Sequence, residues 1–256
     1  MNKRELKVLL DQLAEHYNRK EFIAEDPISI PHRFTKKEDI EIAGFLAATI
    51  AWGNRRSIIR SAEKMMQLMD NSPFEFISRA EGSHLKPLLS FVHRTFNGSD
   101  LTFFIASLRN IYLNHGGMQT VFETGFHKSN KVAGSLAHFR EVFLLTPHEK
   151  RSEKHISDVS GNAAAKRLNM FLRWMVRKDH KGVDFGLWTG IPAGELLIPL
   201  DIHTATVARK LGLLTRKQND MKSVLELTGK LKQFRPDDPV YYDYALFGAG
   251  VSGLRL

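Results

Sequence analysis

Apolar residues return at helical spacing along most of the chain, as in Leu6, Leu9, Leu10 and Leu13, and again in Ile42, Phe45 and Leu46 with Thr49. Positions three and four apart share one face of an α-helix, and long alternating runs that would mark strands are scarce. The pattern predicts an all-α fold. Helices are expected near 2 to 19, 37 to 51, 55 to 70, 73 to 79, 84 to 93, 99 to 115, 118 to 127, 131 to 145, 162 to 178, 202 to 214, 219 to 232 and 239 to 248. Ser72-Pro73 and Ser99-Asp100 read as helix starts, and Gly116-Gly117 as a stop. The stretch 21 to 36, with Pro27 and Pro31, is expected to be an ordered crossing loop, and 146 to 160 a charged connector. So many helices exceed one simple bundle. The expected organisation is two lobes, a central one over 38–145 and a second made of 1–37 with 146–256, the N-terminal helix packing back on the C-terminal portion.

Composition narrows the chemistry. With 256 residues, 43% of them hydrophobic, the chain has enough apolar surface to bury a substantial core. It has no cysteine, which excludes a disulfide framework, a thiolate nucleophile and a cysteine-held zinc or iron–sulfur centre. No resident cofactor is called for, and no metal, since no close His/Asp/Glu spacing completes a ligand set around Asp201 and His203. The formal charge of +9 favours a polyanionic partner, because cations that neutralise phosphates release condensed counterions. No run of about 18 apolar residues appears, so a soluble, cytoplasmic protein is expected.

Two places carry candidate chemistry. Ile198-Pro199-Leu200-Asp201-Ile202-His203 sets a carboxylate where a proline-stiffened approach turns into an amphipathic helix. Asp201 reads both as an N-cap and as a catalytic acid, and the two roles are compatible, since capping directs an ionised carboxylate toward a cleft. Lys166 lies 35 residues upstream, near the head of another helix. On a helical projection Leu168, Phe171, Leu172, Met175 and Val176 form one arc, while Lys166, Met170, Arg173 and Arg177 form the opposite stripe, expected to be basic and outward-facing. The positive potential at a helix N-terminus, just after Ser160-Gly161-Asn162, suits an anion and raises the neutral, nucleophilic fraction of an amine.

These segments resemble the helix-hairpin-helix DNA glycosylase superfamily. Lys166-Arg167-Leu168-Asn169-Met170-Phe171-Leu172-Arg173 is similar to that family's helix beginning with the Schiff-base lysine. Pro199-Leu200-Asp201-Ile202-His203, with Val207-Ala208-Arg209-Lys210-Leu211, resembles the signature around its aspartate. A fainter likeness covers Phe45 to Asn54, and Tyr244 to Gly250 is similar to the closing helix. The spacing of lysine and aspartate is closest to the archaeal 8-oxoguanine branch, and Ala164 and Asn162 stand where the family's hairpin carries glycines. The resemblance implies a two-lobed helical glycosylase-like fold with a degenerate hairpin, and base excision from duplex DNA with possible lyase activity. It assigns catalysis to Lys166 and Asp201, the nucleotide pocket to Trp52, Asn54, Arg173 and His203, and phosphate contacts to Arg55, Arg56, Arg60 and Arg209. Arg173 is counted among the phosphate contacts as well. Residue by residue, plainer readings stand beside these: Trp52 and Trp188 as core, Asn54 as an N-cap, the arginines as solvated surface. Two other functions fit the same features, a nucleic-acid-binding module without chemistry and a glycosyl-transfer enzyme acting on modified nucleotides.

Overall fold

The computed structural model describes residues 1–253. Among these the chain forms α1 (Lys3–Tyr17), α2 (Glu21–Ala24), α3 (Lys37–Thr49), α4 (Arg55–Leu68), α5 (Pro73–Arg79), then a two-residue antiparallel ribbon, β1 (Val92–His93) with β2 (Phe96–Asn97), in which Val92 pairs with Asn97 and His93 with Phe96. There follow α6 (Gly98–Asn114), α7 (Met118–Ser129), α8 (Val132–Phe143), α9 (Lys166–Val176), α10 (Ile202–Lys210), α11 (Met221–Lys232) and α12 (Tyr242–Val251). The fold is all-α. Several helix starts are set by capping: the side chains of Asn2, Asn54, Asn97, Asp201 and Asp220 each accept the backbone N–H three residues on. That satisfies donors the helix itself leaves without partners. No described helix is long and apolar enough to cross a membrane.

Two expected helices differ. Over 84–93 the chain makes 3-10 turns from Gly82 to Ser90 and then enters β1, because Pro87 lies inside the segment and cannot donate the bond an α-helix needs. The helix expected from 162 begins only at Lys166, since Asn162 and Ala165 sit in the left-handed region at φ 67° and 49°. The crossing loop is in part regular, with α2 followed by 3-10 turns at Pro27–Ser29 and Pro31–Arg33.

The chain divides into two compact units, one of residues 23–158, the other of 1–22 with 159–256. The boundary therefore falls inside α2, and the segments 23–37 and 146–158, expected with the second lobe, belong to the first-named unit. The reasons are local. Ile28 and Ile30 are buried and the turns around them pack on α3, while Arg140 of α8 donates to the carbonyls of Glu153 and Ile156. Ser152 Oγ donates to the buried Asp100 at 2.6 Å.

In the 23–158 unit α3 is buried from Ile40 to Thr49. Phe45 stacks on Phe104 at 5.8 Å and meets Phe139 edge-on at 5.3 Å, and Phe139 stacks on Phe122 at 4.2 Å. These rings join α3, α6, α7 and α8 in one core. At Gly125 the helices α7 and α8 are so close that a methyl group would stand 2.6 Å from His138 Cβ and 2.9 Å from Ser135 Cα. A Gly125→Ala protein gains about 1 kcal/mol of helix propensity but must push two backbones apart, and overpacking of this kind costs about 1–3 kcal/mol. Its melting temperature should fall; a rise would show that the two helices separate without cost.

In the other unit α12 packs against α1 and α10. Tyr242 donates to Asp11 of α1 at 2.8 Å, and Gly248 admits the ring of Tyr17, which a Cβ there would strike at 2.3 Å. The N-terminal helix thus returns onto the C-terminal part of the chain, as its sequence position suggested.

Candidate active site

The segment ahead of α9 is stitched to the start of α11. Met221 N–H donates to the Asn162 carbonyl at 3.0 Å, Asn162 Nδ2 donates to Asp220 at 3.1 Å, and Ala163 bridges Asp220. Bonds from Arg216 and from Ser223 N–H hold the Asp220 carboxyl far below the usual range. Behind this anchor the chain turns through Ala165, and α9 starts at Lys166 with no side-chain cap.

The other half of the site is built from an apolar approach. Leu196 to Leu200 are all buried, and Ile198 N–H is tied to Thr228 Oγ1 of α11 at 3.1 Å. The first residue after this run is Asp201, extended at φ −114°, ψ −173°. Its two oxygens have different tasks. Oδ1 accepts the Thr204 N–H at 2.9 Å, capping α10, and Oδ2 lies 4.0 Å from Lys166 Nζ. The side chains of Lys166 and Asp201 are 28% and 18% exposed, so solvent reaches an amine and a carboxylate at the heads of two helices. The pair is an amine facing a fixed anion, an arrangement able to add to an electrophilic carbon and to stabilise positive charge there. The next residue, Ile202, is 74% exposed.

Beyond Lys166, the stripe that read as an outward basic face lies inside. Arg173 is buried, bonded through Nη1 to Asp243 and through Nε to Asp184 at 3.2 Å. Arg177 is fully buried and meets Asp184 at 3.0 Å, Asp238 at 3.0 Å and Asp179 at 2.8 Å. Tyr244 donates to Asp184 at 2.8 Å, and the Arg173 guanidinium lies 4.5 Å from its ring. Burial works to lower the Arg177 pKa, but Asp184 and Asp238 outweigh it and hold the guanidinium protonated. Arg173 is therefore corrected from a substrate or phosphate contact to a structural cation, because its donors are committed to buried carboxylates.

Arg209 is corrected as well. Its guanidinium donates to the carbonyls of Arg216 at 2.9 Å and Lys217 at 2.8 Å and to Asn219 Oδ1, clasping the loop after α10. His203 is exposed, with its ring edge-on to Phe247 at 6.3 Å. Trp188 is core: it is 1% exposed, meets Phe171 edge-on and donates its backbone N–H to Met175 at 2.9 Å.

The remaining candidates belong to the 23–158 unit. Trp52 is half-buried, stacked on His155 at 5.9 Å and edge-on to His93 at 5.3 Å. Asn54 accepts the Ser57 N–H at 3.2 Å and so caps α4. Arg55, Arg56 and Arg60 follow on that helix, with Arg56 and Arg60 exposed on one face.

Asp243 and Asp184 escaped the sequence reading. Asp184 left no periodic signal, being in a loop, but Asp243 did: it is the one charged side chain in an otherwise apolar α12. Burial raises its carboxyl to about 7; Arg173 opposes the rise, the charge of Asp201 adds to it and that of Lys166 opposes it.

Fold and site together define an all-α protein in which a lysine and an aspartate meet at the heads of two helices. The chain belongs to the family described as Protein of unknown function (DUF2400), whose model matches residues 26–252. Comparison with curated proteins and with solved structures returns no match.

Proposed function

We propose that this protein is a DNA base-excision glycosylase with lyase activity, a divergent relative of the helix-hairpin-helix glycosylases. The observation that carries the reading is the approach of Lys166 Nζ to Asp201 Oδ2 at 4.0 Å with both groups reached by solvent. Charge supports a polyanionic substrate. The unit holding this pair has 20 Lys and Arg against 13 Asp and Glu, a net +7, whereas residues 23–158 have 17 against 15, a net +2. In this reading a target nucleotide leaves the helical stack so that its anomeric carbon becomes accessible. As the glycosidic bond lengthens, positive charge develops on the sugar and Asp201 stabilises it. The neutral Lys166 amine bonds to the anomeric carbon as the base departs with the bonding pair, and the proton shed by the alkylated amine passes through water to the base. The nitrogen lone pair then opens the ring, O4′ taking up a proton, and the resulting Schiff base permits loss of a 2′ proton with departure of the 3′ phosphate.

The test is a panel of duplexes carrying different base lesions, scored for base release and for borohydride-trapped protein–DNA adducts. Base release with trapping on at least one duplex is expected. Asp201→Asn should slow release roughly a hundredfold, the scale for losing one preorganised electrostatic contact, while its amide oxygen still accepts the Thr204 N–H. Salt-sensitive binding to every duplex with no base release from any would replace this reading with that of a binding module.

A further inference from the structure

Nine arginines fall within residues 23–158. Five of them face a carboxylate: Arg33 with Glu63, Arg79 with Glu75, Arg109 with Glu81, Arg140 with Glu153 and Arg151 with Asp100. Arg56, Arg60 and Arg94 are exposed and, among the described residues, make no ion pair. The ribbon that carries Arg94 is fastened beside α4. His93 of β1 is buried, with Nδ1 2.9 Å from Ser61 Oγ of α4 and Nε2 3.4 Å from the Trp52 carbonyl ahead of that helix, and Arg151 Nη2 donates to the Thr95 carbonyl at 3.1 Å. Arg94, at the turn between the strands, lays its guanidinium over Gly53: a Cβ on that glycine would stand 2.8 Å from Arg94 Nη1. Three residues lead from Gly53 to Arg56, at most about 11 Å of chain, and Arg60 follows one helical turn later on the same face.

Each of these cations stands where local physics disfavours it. Arg94 occupies the left-handed region at φ 55°, a turn conformation that glycine adopts without strain. Arg55 and Arg56 open α4 in a first turn with no acidic residue, although the positive end of the helix dipole repels cations there. Arg56 and Arg60 repel each other at a spacing of four, and the one carboxylate of α4, Glu63, is engaged by Arg33. A polyanion laid across the three would turn each of these penalties into attraction.

We infer that Arg94, held on the ribbon, joins Arg56 and Arg60 in a surface that grips the phosphate backbone of DNA on this unit. The inference rests on the reading of the protein as one that acts on DNA, and it extends the binding surface to a segment that the sequence did not single out. Arg56 and Arg60 are about 6 Å apart along the helix axis, close to the spacing of successive phosphates in a strand, and a guanidinium donates to two phosphate oxygens at once. A strand, unlike a single anion, offers a separate phosphate to each cation.

Fluorescence anisotropy with a labelled, undamaged DNA duplex, read over a series of salt concentrations, tests the surface on the full chain without any base release. Losing one phosphate contact lowers the slope of log K against log salt by about one and weakens binding roughly tenfold at 0.1 M salt, on every sequence alike. Arg94→Gly should show both changes while melting no lower than wild type, because glycine relieves the left-handed backbone, and Arg94→Lys should keep the slope. Arg56→Gln combined with Arg60→Gln should lower it by about two. Arg79→Gln removes an equal charge from a pair with Glu75 and should leave the slope unchanged. A wild-type slope in Arg94→Gly, an equal loss in Arg79→Gln, or wild-type protein that binds no duplex at about 50 mM salt overturns the inference. Should Arg94→Gly fail to fold, modification of the wild-type protein by phenylglyoxal decides: bound duplex should protect Arg56, Arg60 and Arg94 and leave Arg79 reactive, and equal reactivity at all four overturns it. Tighter binding to an RNA duplex of the same sequence, with the same losses, would overturn the assignment to DNA. Trapping separates this inference from the reading beneath it. If no lesion-bearing duplex is trapped but the slope falls in Arg94→Gly, the excision reading fails and the surface stands; if adducts form and the slope does not move, the surface fails and the excision reading stands.

Discussion

Lys166→Ala should yield no borohydride-trapped adduct on any duplex that the wild-type protein traps, and strand cleavage should fall a thousandfold or more, roughly 4 kcal/mol of transition-state stabilisation. In the proposed mechanism the amine forms the bond, and nothing else on the heads of α9 and α10 would replace it: the Asp201 carboxylate is anchored on Thr204 N–H and His203 carries an imidazole. The loss should come without unfolding. Lys166 is partly exposed and its pair with Asp201 spans 4.0 Å, a geometry that contributes less than about 1 kcal/mol to stability. Gel-resolved trapping and a thermal melt, run together, check both halves. Adducts retained by a folded Lys166→Ala protein would move the nucleophile to another residue.

The largest stability effect should come from Arg177→Met. Arg177 is fully buried among Asp179, Asp184 and Asp238, so removing it leaves buried carboxylates without their shared cation. Breaking a buried pair from one side costs about 3–5 kcal/mol, a large part of the roughly 5–15 kcal/mol by which a domain is stable. Trp174 and Trp188 are fully buried in the same unit, so their fluorescence in urea reports the transition. A midpoint unchanged from wild type would mean that water replaces the guanidinium without penalty. Asp184→Asn in the Arg177→Met background should recover part of the loss, since it removes one of the stranded charges.

Acid and base act in opposite directions on this cluster. Asp179 has its carboxyl lowered: burial works against the shift, and Arg177 together with the bonds from Asn18 and Lys181 N–H outweighs it. Its contribution is therefore present above the unfolded value of 3.8 and lost as pH falls through the lower folded value. Asp243 is raised, so its contribution is full below 3.8 and is lost as pH rises through about 7. Compared with wild type, Asp243→Asn should therefore be relatively more stable at pH 8 than at pH 5.

Much of the architecture could be read along the chain, and the exceptions have identifiable causes. The helices from α3 to α5 and from α6 to α8 follow from apolar spacing, reinforced at the starts of α4 and α6 by the caps Asn54 and Asn97 and at that of α5 by Pro73. The 84–93 segment departed because Pro87 removes a backbone donor. The start of α9 departed because Asn162 and Ala165 adopt left-handed backbone that no periodicity foretells. Lys166 and Asp201 stood out in the sequence because each sits at a helix head, and the fold brings them to 4.0 Å. Arg173 and Arg177 were misplaced because a helical projection sorts polar from apolar positions but cannot see partners supplied by other segments. The partners of Arg173 are 11 and 70 residues away, at Asp184 and Asp243, and Arg209 turns back on its own loop.

By itself the sequence determined that this protein is helical, that its charge is positive, and which amine and which acid stand at helix entrances, since those properties reside in local spacing and in single side chains. Only the tertiary structure decided that the amine and acid face each other, that two arginines lie inside rather than outside, and that Asp243 belongs with them. Such pairings depend on loops and helix contacts that bring distant residues within a few ångströms, where the energy of burying a charge is settled by whichever opposite charge the fold delivers.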